Sequence, residues 1–149
     1  MLEIFQIPVL NDNYIYLIID AKSGKTACVD PALHEPVVEK LEELDKKLDF
    51  ILNTHHHNDH VGANIKLQKK YKCEIVGNEK DKTRIPGISI FVNEGDKFKL
   101  GDSVASVIDV SGHTLGHICF YFSKESLIFC GDTLFSLGCG RLFEGTPDI

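Results

Sequence analysis

Basic residues are in short supply: 16 Lys and Arg stand against 22 Asp and Glu, a formal charge of −6. A surface for nucleic acid is therefore not expected, and an anionic small molecule would need a local cation to hold it. No C-x-x-C occurs, and the five cysteines (Cys28, Cys73, Cys119, Cys130, Cys139) are odd in number and widely spaced. That predicts buried, reduced thiols and not a disulfide framework. No apolar run approaches the roughly 18 residues of a membrane span. The N-terminus, MLEIFQIPVLNDNY, lacks the basic region and long apolar core of a secretory signal, so the expectation is a cytoplasmic chain without membrane contact. Repeats and low-complexity tracts are missing as well. The 149 residues, 43% of them hydrophobic, read as one globular domain over 1–149 with a buried core.

The chain does not lack histidine at one particular place. NTHHHNDHVGAN, residues 53–64, holds four of the seven histidines and an aspartate within six positions. Upstream, LEIFQIPVL, YIYLIID and TACVD read as strands, the last two divided by the turn signal AKSGK. A helix follows, with Pro36 in its first turn and Val37, Leu41, Leu44 and Leu48 at helical spacing. FILN is a buried strand ending directly at the histidines, and a second helix is expected from His60 to Tyr71 with Lys66, Lys69 and Lys70 outward. EIV, SIFV, KFKL, VASVIDV, ICFYF and LIFC then read as strands, and the residues after Cys130 as glycine-rich loop. Strands with two early helices predict a layered α/β sandwich.

Extended backbone alternates its side chains, so His55 and His57 are expected on one side and His56 on the other. Asp59 suits a helix N-cap, and Gly62 keeps the first helical turn slim, so the backbone can come close to the site. H-x-H-x-D-H thus gathers imidazoles and a carboxylate where a strand gives way to a helix. Mixed nitrogen and oxygen donors suit zinc, manganese or iron, not calcium. SGHTLGH after VASVIDV, and GDT after LIFC, sit at strand ends in the same way. His113 and Asp132 would complete a metal shell drawn from three strands. His56 is expected to pack or to support a ligand, His34 to lie at the surface, and His117 to serve as a structural hydrogen-bonding group.

THHHNDH, SGHTLGH and GDTLF resemble successive motifs of the metallo-β-lactamase fold, an αββα sandwich of which this chain would be the N-terminal portion. LGCGRLFEGT, with NDNYIYLI and VDPA, looks like the hydroxyacylglutathione hydrolase (glyoxalase II) family within it. The resemblance implies two divalent transition-metal ions, zinc first, with iron or manganese as alternatives. It implies that His55, His57 and His113 hold one ion, that Asp59 and His60 hold the other, and that Asp132 bridges them. A water activated between the ions would attack the thioester of S-lactoylglutathione, releasing glutathione and lactate. Asp59 would also orient that water, which with Asp132 makes the expected catalytic pair. Arg141, Leu142 and Phe143 match the segment that contacts glutathione in the family, and Arg141 would meet its carboxylates. Asp30, in VDP, resembles a position that fixes a ligand imidazole; capping a turn before Pro31 is the other role open to it.

The family pattern also has departures here. Phe143 stands where some relatives have Tyr, Ser111 stands where many have Pro, and a later histidine of the second metal shell has no counterpart. Pro147-Asp148 reads as a helix start, so the chain is expected to be part of a longer protein, with strand faces that could self-associate. Persulfide dioxygenases share H-x-H-x-D-H and glutathione chemistry but use a single iron, and RLFEGT favours the hydrolase over them. A metal-binding domain without turnover is the non-enzymatic alternative.

Overall fold

The computed structural model describes residues 2–10, 13–110, 116–130 and, by backbone course, 133–136. His113, Asp132, Cys139, Arg141, Leu142 and Phe143 lie outside the described residues.

The first sheet has six strands in chain order: β1 (Leu2–Val9), β2 (Asn13–Asp20), β3 (Thr26–Val29), β4 (Phe50–Leu52), β5 (Glu74–Asn78) and β6 (Ile90–Val92). β1, β2 and β3 pair antiparallel, while β3 to β6 run parallel. Parallel neighbours need crossovers. One is supplied by α1 (His34–Leu44) and the next by α2 (Asn58–Val61) with α3 (Asn64–Tyr71). The second sheet is an antiparallel meander of β7 (Lys97–Leu100), β8 (Ser103–Asp109), β9 (Ile118–Phe122), β10 (Leu127–Cys130) and β11 (Thr133–Ser136).

Side-chain alternation explains the layering. Ile15, Leu17, Cys28, Ile51 and Ile75 face one way from the first sheet and meet Val37 and Leu41 of α1 and Leu67 of α3. Tyr16, Ile18, Ala27, Val29, Leu52 and Val76 face the other way, against Phe98, Leu100, Val107, Phe120, Phe122 and Phe129 of the second sheet. The described residues thus form helix, sheet and sheet layers. A third apolar group, Val110, Cys119 and Ile128, lies on the opposite face of the second sheet.

Four expectations need correction. Thr133–Ser136 is a strand, paired with β10 through Cys130↔Thr133 and Phe129↔Leu134, where a loop was expected. The helix expected from His60 to Tyr71 is two helices, separated at Gly62 and Ala63. A Cβ on Gly62 would sit 2.5 Å from the Ala32 carbonyl oxygen, so the close approach this glycine permits is to the loop after β3 and not to the site. Finally, Cys119 and Cys130 are disulfide-bonded, with Cα atoms 4.7 Å apart on adjacent antiparallel strands, while Cys28 and Cys73 are free and buried.

Candidate metal centre

The histidines stand where the parallel strands end. β3 runs into Asp30 and β4 into Asn53, and the Asp30 amide donates to the Leu52 carbonyl at 2.9–3.0 Å geometry typical of a strand ladder, here 3.0 Å. Asn53 is fully buried and closes the loop that follows it. Its Nδ2 donates to the His60 carbonyl at 2.9 Å, and its Oδ1 accepts from Asn64 Nδ2 at 2.7 Å. Residues 53–60 are thereby drawn into a tight arch, with His57 as the helix N-cap of α2 and Asp59 inside its first turn. The expected N-cap role of Asp59 is not found, because the chain enters α2 two residues earlier.

Asp30 is the buried anchor of the arch. Its Oδ1 accepts from the Thr54 amide at 2.8 Å and its Oδ2 from the Thr54 hydroxyl at 2.6 Å. The same Oδ2 lies 3.1 Å from His60 Nδ1. Of the two roles left open by the sequence, the carboxylate takes the one beside an imidazole, and its hydrogen bonds go to Thr54. With Nδ1 of His60 turned to a carboxylate, Nε2 is the nitrogen left to face a ligand. Thr54 Oγ1 also lies 2.9 Å from His55 Nδ1, which directs His55 Nε2 in the same sense.

His55 is at the centre of the imidazoles. Its ring lies 4.7 Å from His57, 4.0 Å from His60 and 4.6 Å from His117, centroid to centroid. His117 was expected only as a structural group; it is buried and stacks on His55 at an interplanar angle of 26°. His56 turns its Nδ1 toward Asp81 Oδ2, 3.6 Å away. His34, the first residue of α1, is half-buried. Asp59 is held by Asn13, whose Nδ2 donates to Asp59 Oδ2 at 2.9 Å, and the same oxygen lies 3.5 Å from His60 Nε2.

Protonation suits a cation here. Burial pulls the His55 pKa from 6.5 down to about 3; Asp30 opposes this, while His60, His117 and His57 add to it. His55 is therefore a neutral nitrogen donor at pH 7, the form a metal requires. Burial would raise the Asp59 pKa, but the Asn13 hydrogen bond and His60 outweigh it and lower the value. Asp30, His55 and His60 each bring a ligand atom into one group spanning at most 4.8 Å, and all three are buried. A carboxylate and two imidazoles at that spacing fit a transition-metal ion.

Two contributors were not visible in the sequence reading. Asp81 is fully buried, pairs with Arg84 at 2.5 Å and approaches His56. A Cβ on Gly116, at φ +88°, would lie 2.7 Å from Asp81 Oδ2, so Asp81 packs between the two histidine-bearing loops. Asn13 is the other, 46 residues from Asp59 in sequence. Neither carries a spacing signal, since both act across the fold.

The profile of the Metallo-beta-lactamase superfamily matches residues 10–148. Hydroxyacylglutathione hydrolase of Methylococcus capsulatus is 53% identical over 148 residues, which is 99% of this chain and 58% of that protein. The hydroxyacylglutathione hydrolase of Rhodospirillum rubrum is 52% identical over 145 residues, 97% of this chain and 57% of the relative. The chain thus spans a little over half the length of these relatives. Among solved structures, the BLEG-1 B3 metallo-beta-lactamase superposes with a TM-score of 0.76 at 22% identity, over 91% of this chain and 73% of that one. ETHE1 from Myxococcus xanthus gives 0.72 at 26% identity, over 90% and 56%.

Proposed function

The chain belongs to the metallo-beta-lactamase superfamily, and from that premise we propose that it carries the metal-binding part of a glutathione-thioester hydrolase acting on S-lactoylglutathione. The observation that carries the proposal is the pair of buried imidazoles at the strand ends, His55 braced by Thr54 and His60 by Asp30, in a chain 53% identical to a hydroxyacylglutathione hydrolase. Zinc is the proposed metal, at two positions. His55, His57 and His113 would hold one ion, Asp59 and His60 the other, with Asp132 between them. Asp30 is assigned to orienting His60, because its two oxygens already accept from Thr54.

Bound divalent ions would lower the pKa of water to near 7 and stabilise charge on the thioester oxygen. The chain's own residues do the rest. Thr54 fixes His55 and Asp30 fixes His60, and the carboxylate of Asp59, held ionised, would orient a water beside the ions. Arg141, Leu142 and Phe143 are proposed to hold the glutathione portion, with Arg141 on a carboxylate. The thiolate leaves readily, so no strong acid is needed beside it. A cytoplasmic location is proposed with this chemistry, and there Cys119 and Cys130 would stand as thiols.

The test is reconstitution of the purified chain with zinc, followed by elemental analysis and S-lactoylglutathione hydrolysis. Retained zinc and slow, chelator-sensitive hydrolysis are expected, both strongly reduced in His57→Ala and little changed in His56→Ala. Turnover is expected to be slow because one short segment is assigned to hold an extended tripeptide, and positioning can contribute on the order of 7–11 kcal/mol. Folded protein that retains no metal would overturn the proposal. Metal retention with no hydrolysis at any substrate concentration would leave a binding domain in its place.

A further inference from the structure

We propose that Asn13 is a positioning residue for Asp59, so that the hairpin joining β1 and β2 governs how the second metal position fills. This rests on the metal-centre reading above and deepens it. Asn13 opens β2, opposite Val9 of β1, and so lies on a different part of the first sheet from the strand that ends at the histidine arch. Its side-chain amide nonetheless reaches the arch twice, donating to Asp59 Oδ2 at 2.9 Å and to the Asp59 carbonyl at 3.3 Å.

Asp59 depends on this contact because, among the described residues, only His60 Nε2 at 3.5 Å also approaches its carboxylate. Its side chain is 44% exposed, it caps no helix end, and a half-exposed carboxylate on one short helix can adopt several rotamers. The Asn13 amide removes that freedom. By donating to Oδ2 and to the backbone of the same residue it sets the carboxylate angle, and it leaves Oδ1 as the oxygen turned elsewhere. His60 Nε2 lies 3.5 Å from the same Oδ2. The two candidate ligands of the second position are thus set side by side by two buttresses, Asp30 behind His60 and Asn13 behind Asp59. Outer hydrogen-bonding partners of metal ligands typically contribute about 10–100-fold to affinity.

Asn13→Leu keeps the side chain's size and removes the donor; Asn13→Ala is the second variant should the isostere disturb folding. Both are compared with Asp59→Asn and with the double variants, using zinc titration of the metal-free chain and its thermal unfolding as a folding control. The expected result is a roughly tenfold loss in Asn13→Leu at the zinc step that Asp59→Asn also weakens, the other step unchanged, and no further loss when Asn13→Leu is added to Asp59→Asn. Such non-additivity is a signature that a general structural role would not give. Unchanged zinc binding in Asn13→Leu, or an equal loss in both backgrounds, would overturn the assignment of Asn13 while leaving the metal centre intact. Unchanged binding in Asp59→Asn would overturn Asp59 as a ligand, and with it both proposals.

Discussion

The Ile118 amide donates to the Thr54 carbonyl at 2.9 Å, joining the first strand residue of β9 to the end of β4 across two different sheets. Thr54 is therefore held on every side. Its carbonyl belongs to the seam between the sheets, its amide and hydroxyl belong to Asp30, and its oxygen also meets His55. Thr54→Val keeps the shape and deletes the hydroxyl. Asp30 Oδ2 then loses a donor in a buried site, which costs about 1–3 kcal/mol. For a chain of this size that corresponds to a fall in Tm of roughly 2–4 °C per kcal/mol, measurable by calorimetry of the metal-free protein. Zinc affinity should fall too, because His55 loses its brace.

Asn53→Leu attacks the closure of the arch. It would leave the His60 carbonyl without its Asn53 donor and take from Asn64 Nδ2 one of two acceptors, the Pro86 carbonyl being the other. A buried polar group stranded this way costs about 1–3 kcal/mol. A urea midpoint lowered by more than that of Thr54→Val is the expected outcome, and an unchanged midpoint would show that the arch closes by other means.

Gly116 and Gly95 offer a matched pair. Both have positive φ, +88° and +87°, but a Cβ on Gly95 meets nothing within 4 Å while one on Gly116 meets the Asp81 carboxylate. Gly95→Ala should cost only the backbone term of roughly 1–2 kcal/mol. Gly116→Ala should cost more and also weaken zinc binding, since displacing Asp81 disturbs the loop that carries His56. Equal unfolding free energies for the two variants would count against Asp81 as a wedge.

Acid should destabilise the metal-free protein in a defined window. The unfolded chain protonates His55 below pH 6.5, whereas the folded chain resists protonation until about pH 3. More protons are bound in the unfolded state across that interval, so stability rises with pH there. The contribution is complete above pH 6.5 and is lost progressively as pH falls toward 3. Urea titrations between pH 7 and 4 should show this slope, with a reduced slope in His55→Asn.

The thiol pair gives a chemical test. Under oxidising conditions, alkylation of the unfolded chain should spare Cys119 and Cys130 and label Cys28 and Cys73. Reduction opens a short loop of sequence separation 11, and the expected loss is about 2–3 kcal/mol in the chain-entropy account.

Much of this arrangement was legible in the chain. Apolar runs such as YIYLIID and ICFYF became strands because each buries both faces or nearly so, and H-x-H-x-D-H announced a strand end by its own composition. The errors share a cause, which is that partners distant in sequence leave no periodic mark. Thr133–Ser136 becomes a strand because β10 offers it an open edge, not through any pattern of its own. At the break after Gly62 the Ala63 amide donates to the Pro31 carbonyl at 2.9 Å, a partner 32 residues away. Cys119 and Cys130 bond because the β9–β10 register sets them opposite each other. Asn13 meets Asp59, and Asp81 meets His56, only once separate strands of the first sheet have paired.

The double burial of β2 has a consequence for how such a chain can change over evolutionary time. From Ile15 to Ile18 each side chain is committed, alternately to the helix layer and to the second sheet. Substitution there is confined to exchanges of similar volume, since removing a Leu or Ile from such a site costs about 2–5 kcal/mol. The segments beyond the strand ends carry no such obligation to the interior, although they carry the imidazoles. A lineage could therefore alter what it binds by rewriting arches and hairpin tips while its strands drift slowly. In a saturation mutagenesis scored only for folding, Leu17 and Ile18 should tolerate the fewest replacements and His57 among the most.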